Sequence, residues 1–163
     1  MTAFDQAWAL VKMPIVPHSL RQVGEKRKNW PLEYEAQFID PVSGEELLMT
    51  STEDPKLKIL PMWELGITDK EGYERASALM DSRHYGTFQS ERSRTKEPYR
   101  RRGYMTALYD MAARLAADEP NDEDEGGWRL RQGLEEEDGM GDLLWEKQGV
   151  FWLIRDDLYE VGE

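Results

Sequence analysis

Apolar and polar positions alternate along residues 32–38, where Leu32, Tyr34, Ala36 and Phe38 fall on one side of a two-residue period, the pattern of a half-buried strand. Asp40-Pro41-Val42-Ser43-Gly44 follows with turn chemistry, and a second short strand over 46–50 completes a predicted β-hairpin. A third strand is predicted over 56–67, with Pro61 at an edge or bulge. Helical spacing appears elsewhere. Phe4, Trp8 and Val11 predict a short helix over 2–12 that stops before Pro14, and Pro17-His18-Ser19-Leu20 reads as a turn into another short helix or loop. Thr68-Asp69-Lys70-Glu71 has the form of a capping box, and with Tyr73, Ala76 and Met80 behind it predicts a helix over 69–82.

Residues 85–94 contain Tyr, Thr and Phe and predict a strand that delivers a basic turn. Beyond the turn, Tyr104, Leu108, Met111 and Leu115 recur at i, i+4, i+7 and i+11 and predict an amphipathic helix over 103–118. An acidic loop over 118–127 comes next, then a short strand over 128–131, a helix over 138–148 and a strand over 149–154. Arg155-Asp156-Asp157 makes a turn into a returning strand over 158–161. No internal repeat is visible, and 163 residues are most simply one domain, 1–163.

Composition narrows the class. Hydrophobic content of 39%, with six Trp and seven Tyr, supports a packed interior, and Trp30, Trp63, Trp128 and Trp152 are expected as core or pocket wall. No apolar run approaches the roughly 20 residues that span a bilayer, and the amino-terminal stretch lacks the basic start of a signal peptide, so neither a membrane nor secretion is expected and the predicted location is cytoplasmic. The absence of Cys agrees and excludes thiol nucleophiles and thiolate-bound zinc. Two His residues leave little for metal binding, and the 118–127 loop lacks the ligand spacing of a calcium site, so no metal is expected.

A net charge of −12 argues against direct nucleic-acid binding, which needs a broad basic surface. The charge is unevenly distributed. Residues 91–102 hold six basic residues against two acids, a local charge of +4, whereas residues 118–138 carry a local charge of −8. A concentrated cationic patch in an acidic chain suits a small polyanion. Arg100-Arg101-Arg102-Gly103 opens the most periodic helix of the chain, where unpaired backbone N–H groups and the positive end of the helix dipole favour an anion.

Arg100-Arg101-Arg102-Gly103-Tyr104-Met105 resembles the Gln/Arg-x-x-Gly-x-Gly/Ala loop of the GNAT family of acyl-CoA-dependent N-acetyltransferases, and Thr106-Ala107-Leu108-Tyr109 resembles the continuation of the helix that follows it. Met105 departs from the small residue of the last motif position. Gly141-Asp142-Leu143-Leu144-Trp145 resembles the late helix of some members, so the resemblance runs over roughly residues 30–161 and is specific only around Gly103. It implies an α/β fold with a mixed, mostly antiparallel twisted sheet flanked by helices. It also implies acetyl-CoA or another acyl-CoA as substrate, with its pyrophosphate held by Arg100, Arg101, Arg102, Gly103, Tyr104, Met105, Thr106 and Ala107. Glycine in such a loop permits the backbone conformation and close approach that a side chain would block.

Family members remove a proton from the amine with a carboxylate or a water and reprotonate the thiolate with a Tyr of the late helix. Trp145 stands in that helix here, and its indole N–H is no acid at neutral pH. Glu91, on the strand before the basic turn, is the first candidate base and His84 the second, because imidazole titrates near neutrality. The expected function is N-acylation of a primary amine on a small molecule or peptide, cationic acceptors being favoured by the acidic surface. The alternative is a GNAT-fold protein without catalysis that works through a protein partner or as an oligomer. Compact, acidic, cysteine-free GNAT-like chains resemble those encoded by bacteriophages, for which the virion is a further expected location.

Overall fold

The computed structural model describes residues 15–16, 19–23, 33–53, 62–84, 87–117 and 129–131, with residues 82–84 described by their backbone alone. The expected helices over 2–12 and 138–148, the acidic loop over 118–127 and the strands over 149–154 and 158–161 lie outside the described residues. Within them, the fold is a sheet-dominated α/β arrangement. The strands are β1 (Arg21–Val23), β2 (Glu33–Ile39), β3 (Glu46–Glu53), β4 (Met62–Thr68), β5 (Glu74–His84), β6 (Thr87–Thr95) and β7 (Arg129–Arg131), and a single α-helix, α1 (Tyr104–Ala117), is seen among the described residues.

All seven strands belong to one sheet in the order β1-β2-β3-β4-β5-β6-β7. The first six form an antiparallel meander, and β7 returns parallel to β6 after α1, with Phe88 opposite Leu130. A parallel neighbour requires a crossover connection, and α1 lies within it. One face of the sheet is apolar. Ala36, Met49, Ile67 and Ala76 follow one another across β2–β5, and Leu65 and Ala78 continue the next row. α1 packs against β4–β7 and buries Leu108, Met111 and Leu115. Each large side chain buried there contributes about 1.5–3 kcal/mol relative to leaving it in water. The small Ala76 and Ala78 of β5 give the helix room to approach.

The hairpin predicted at 32–50 is present as β2 and β3, closed by a turn at Pro41–Ser43 with Gly44 at φ +75. Of the strand predicted over 56–67, residues 62–67 lie in β4 and 56–61 fall outside the described residues. The helix predicted over 69–82 is not formed: residues 69–73 make a turn and β5 begins at Glu74. The Asp69 carboxylate accepts the amides of Glu71 (3.1 Å) and Tyr73 (2.9 Å), and Gly72 adopts φ +88. That left-handed glycine breaks a helix and suits a hairpin. Ala76 and Met80 satisfy helical spacing, but Ala78 between them is also buried, so the period is two.

Two irregularities re-aim charged side chains. Ile67 pairs with Ala76 and Thr68 with Glu74, leaving Arg75 as an extra residue of β5. Met80 pairs with Ser90 and Leu79 with Arg92, leaving Glu91 as an extra residue of β6. Bulges of this kind turn a side chain off the regular alternation. Arg75 is thereby buried, with 6% of its surface exposed, and Glu91 half-buried.

Candidate anion-binding turn

Three connections meet at one end of the sheet: the β2–β3 turn, the β4–β5 turn and the segment from β6 into α1. The last of these holds the triple arginine. β6 ends at Thr95, and a short 3-10 turn spans Glu97–Tyr99. The amide of Lys96 donates to the carbonyl of Arg75 (2.9 Å), tying the segment back to β5. Arg101 then adopts φ +62 and Gly103 φ +86. Side chains strongly disfavour the left-handed region, which explains the glycine at 103 and makes Arg101 a strained position held by its surroundings.

Tyr104 begins α1, and the Ala107 amide donates to the Gly103 carbonyl (3.0 Å) as the first bond of the helical ladder. The amides of Tyr104, Met105 and Thr106 precede that ladder, at the positive end of the helix. Ala107 is buried, whereas Thr106 is half-buried. Met105 is half-buried and packs against the core. Arg100 and Arg101 are exposed, and Arg100 is steadied by its Nε–H donating to the Thr95 carbonyl (3.0 Å). Arg102 differs from both: its Nη1 donates to Asp40 Oδ2 at 3.2 Å.

Asp40 is the centre of a buried polar network. Its Oδ1 accepts the amides of Val42 (2.8 Å) and Ser43 (3.2 Å), and its Oδ2 accepts the Tyr104 hydroxyl (2.5 Å) together with Arg102. Arg75 donates from Nη1 to the Tyr104 hydroxyl (3.1 Å) and from Nη2 to Glu45 (2.7 Å), and its Nε lies 3.6 Å from Asp69. Its guanidinium also covers the Tyr99 ring at 4.3 Å, a cation–π contact. Residues from all three connections are thus bound through one fully buried carboxylate and one nearly buried guanidinium.

These contacts set the ionisation of the network. Burial pushes the Asp40 carboxyl up, but the Tyr104 hydroxyl, the two amides and Arg102 outweigh it and hold the group below the usual carboxylate range. Burial and the Asp40 carboxylate push the Tyr104 phenol up to about 12, against an opposing pull from Arg75. The sign of each pH effect follows. Asp40 has a lowered folded value, so its stabilisation is present above the unfolded value near pH 4 and is lost as pH falls through the folded one. Tyr104 keeps its proton longer in the folded chain, so stability falls between pH 10 and 12. We expect the melting temperature to drop in both windows and the alkaline drop to shrink in Tyr104→Phe; an unchanged alkaline limb in that variant would contradict the assignment.

The candidate bases do not come together. His84 ends β5 opposite Thr87, and Glu91 is four residues further along β6, about 13 Å away at strand spacing. Glu91 lies at the bulge of the strand that leads into the turn, four residues before its end. Close to it, the buried Tyr109 hydroxyl of α1 donates to Ser93 Oγ (2.8 Å) and shares a hydrogen bond with Ser90 Oγ (3.1 Å), joining helix and strand. Trp63 is buried in the core beside Tyr34, whereas Trp30, Trp128, Trp145 and Trp152 lie outside the described residues. Among the described residues there is no group of three or more side chains suited to a metal ion, and no helix is long and apolar enough to cross a membrane.

Sequence reasoning passed over Glu45 and Arg75, took Asp40 only as a turn residue and took Tyr104 only as part of the helical stripe and the phosphate loop. A lone Asp in a turn and a lone Arg after a Glu carry no signal until the fold joins them. No protein-family model, curated protein or solved structure matches the chain.

Proposed function

We propose that this protein is a GNAT-like N-acyltransferase that uses acetyl-CoA or another acyl-CoA to acylate a primary amine. The observation that carries the reading is the left-handed Gly103 (φ +86) between β6 and the N-terminus of α1. The amides of Tyr104, Met105 and Thr106 precede the helical ladder, which starts with Ala107, and Arg100 and Arg101 are exposed just before them in the chain. That combination of helix N-terminal N–H donors and guanidinium groups suits a pyrophosphate. Met105, the departure from the family loop, is half-buried and packs against the core.

In the proposed reaction the amine nitrogen bonds to the acyl carbon, the carbon–sulfur bond breaks, and the departing thiolate takes up a proton. Glu91 is the group assigned to accept the amine proton, because its strand leads into the turn and the bulge sets its side chain apart from the regular alternation. His84 is the second candidate.

Isothermal titration with acetyl-CoA tests binding, and we expect saturable binding below millimolar ligand; no heat at millimolar ligand would remove the reading. Turnover is measured by thiol release to a chromogenic disulfide in the presence of polyamines or a Lys-rich peptide. The chain contributes no thiol to that signal, having no Cys. Saturable binding without thiol release would favour a GNAT-fold module that holds acyl-CoA without transferring it.

A further inference from the structure

We infer that the three consecutive arginines divide the work of the turn: Arg102 anchors it to the buried Asp40–Tyr104–Arg75 network, while Arg100 and Arg101 are the pair that meets the phosphates. The second half of this inference rests on the acyl-CoA reading; the first half stands on the network alone.

Every hydrogen-bonding direction of Asp40 is committed to holding chain in place. Its Oδ1 closes the β2–β3 turn through the amides of Val42 and Ser43, and its Oδ2 grips residues on either side of Gly103, namely Arg102 (3.2 Å) and Tyr104 (2.5 Å). Arg75 donates to the Tyr104 hydroxyl and covers the face of Tyr99. The Tyr99 ring is in turn flanked by the Tyr104 ring at 5.8 Å and by the Arg102 guanidinium at 5.8 Å. Tyr99, Arg102 and Tyr104 are therefore fixed, and Gly103 is held between two of them.

Arg100 and Arg101 stand outside this grip. Both are exposed, and the φ of +62 at Arg101 is imposed by a chain fastened on both sides of it. Fastening of this kind is how a binding constellation keeps its geometry before the ligand arrives. The side chains of Asp40, Arg75, Arg102 and Tyr104 are positioning groups in this scheme, because none of these side chains needs to touch the ligand.

The test follows two readouts in the full-length chain: chymotryptic cleavage of the Tyr99–Arg100 bond under native conditions and acetyl-CoA affinity by titration. Arg102→Ala and Tyr104→Phe are expected to speed that cleavage and to weaken acetyl-CoA binding, each by about tenfold, the usual scale for losing one hydrogen bond to a charged group. Arg102→Lys should restore much of the protection. Arg101→Ala should weaken acetyl-CoA binding while leaving the cleavage rate at its wild-type value. Asp40→Asn is the harsher variant; if it does not fold, the half-buried Arg102 decides.

Unchanged cleavage in both Arg102→Ala and Tyr104→Phe overturns the anchoring role, whatever acetyl-CoA does. Faster cleavage in Arg101→Ala overturns the division between the arginines. Failure of the wild-type chain to bind acetyl-CoA removes the ligand-facing assignment together with the acyl-CoA reading, and the cleavage rates still decide the anchor.

Discussion

Arg75→Met is expected to destabilise the protein by about 3 kcal/mol, the lower end of the cost of removing one partner from a buried ion pair. Methionine keeps much of the stem volume of arginine, so the loss reports the guanidinium. Arg75 is 6% exposed and faces Asp40, Glu45 and Asp69, with Nη1 4.0 Å from Asp40 Oδ2, and its removal leaves Arg102 as the cation remaining on Asp40. It also strips the Tyr99 ring of its nearer cation and the Tyr104 hydroxyl of a donor. The cost stays near the lower end because Glu45 is half open to water and recovers hydration once released. At roughly 2–4 °C per kcal/mol for a chain of this size, the melting temperature should fall by about 10 °C. Arg75→Lys should fall between the two, since a point charge cannot serve Glu45 and the Tyr104 hydroxyl from a planar fork. Urea unfolding followed by tryptophan fluorescence measures this; a loss under 1 kcal/mol in Arg75→Met would mean that the network is ornamental to stability.

That network marks the limit of what could be read along the chain. The β2–β3 hairpin was legible because Tyr34, Ala36 and Phe38 alternate cleanly and a turn-forming run follows them. α1 was legible because four large apolar residues keep one helical stripe. Residues 69–82 were misleading for a physical reason. Alanine is content in both helix and strand, so Tyr73, Ala76 and Met80 fit one period while Ala76, Ala78 and Met80 fit the other. Gly72, inside the supposed first turn of that helix, was the discriminating signal.

The site divides the same way. Gly103 and the arginines are neighbours in sequence, so the turn could be recognised as a unit. Asp40 and Tyr104 are 64 residues apart and Arg75 and Tyr104 are 29 apart, and both separations close only when the two hairpin turns meet the segment from β6 into α1. Bulge positions are equally silent, because the extra residue at Arg75 or Glu91 depends on cross-strand pairing rather than local composition. Three adjacent arginines accordingly looked equivalent until one of them was seen on Asp40.

Gly103→Ala should separate backbone geometry from charge and is expected to weaken acetyl-CoA binding at least tenfold. A side chain at φ +86 costs about 1–2 kcal/mol, and the turn can relieve that strain only by rotating the peptide groups that lead into α1. Rotation there moves the amides of Tyr104 and Met105, the donors assigned to the pyrophosphate, while the arginines remain. Gly72→Ala is the matched control. Gly72 has φ +88 with nothing within 4 Å of an added Cβ, so it bears the same backbone penalty in the β4–β5 turn. Both variants should therefore lose a few degrees of melting temperature, and only Gly103→Ala should lose affinity. Equal affinity in the two variants, measured by titration with acetyl-CoA, would mean that the amides at the start of α1 do not contact the ligand. The glycine would then serve only to turn the chain from β6 into the helix, and the phosphate contacts would have to come from Arg100 and Arg101 alone.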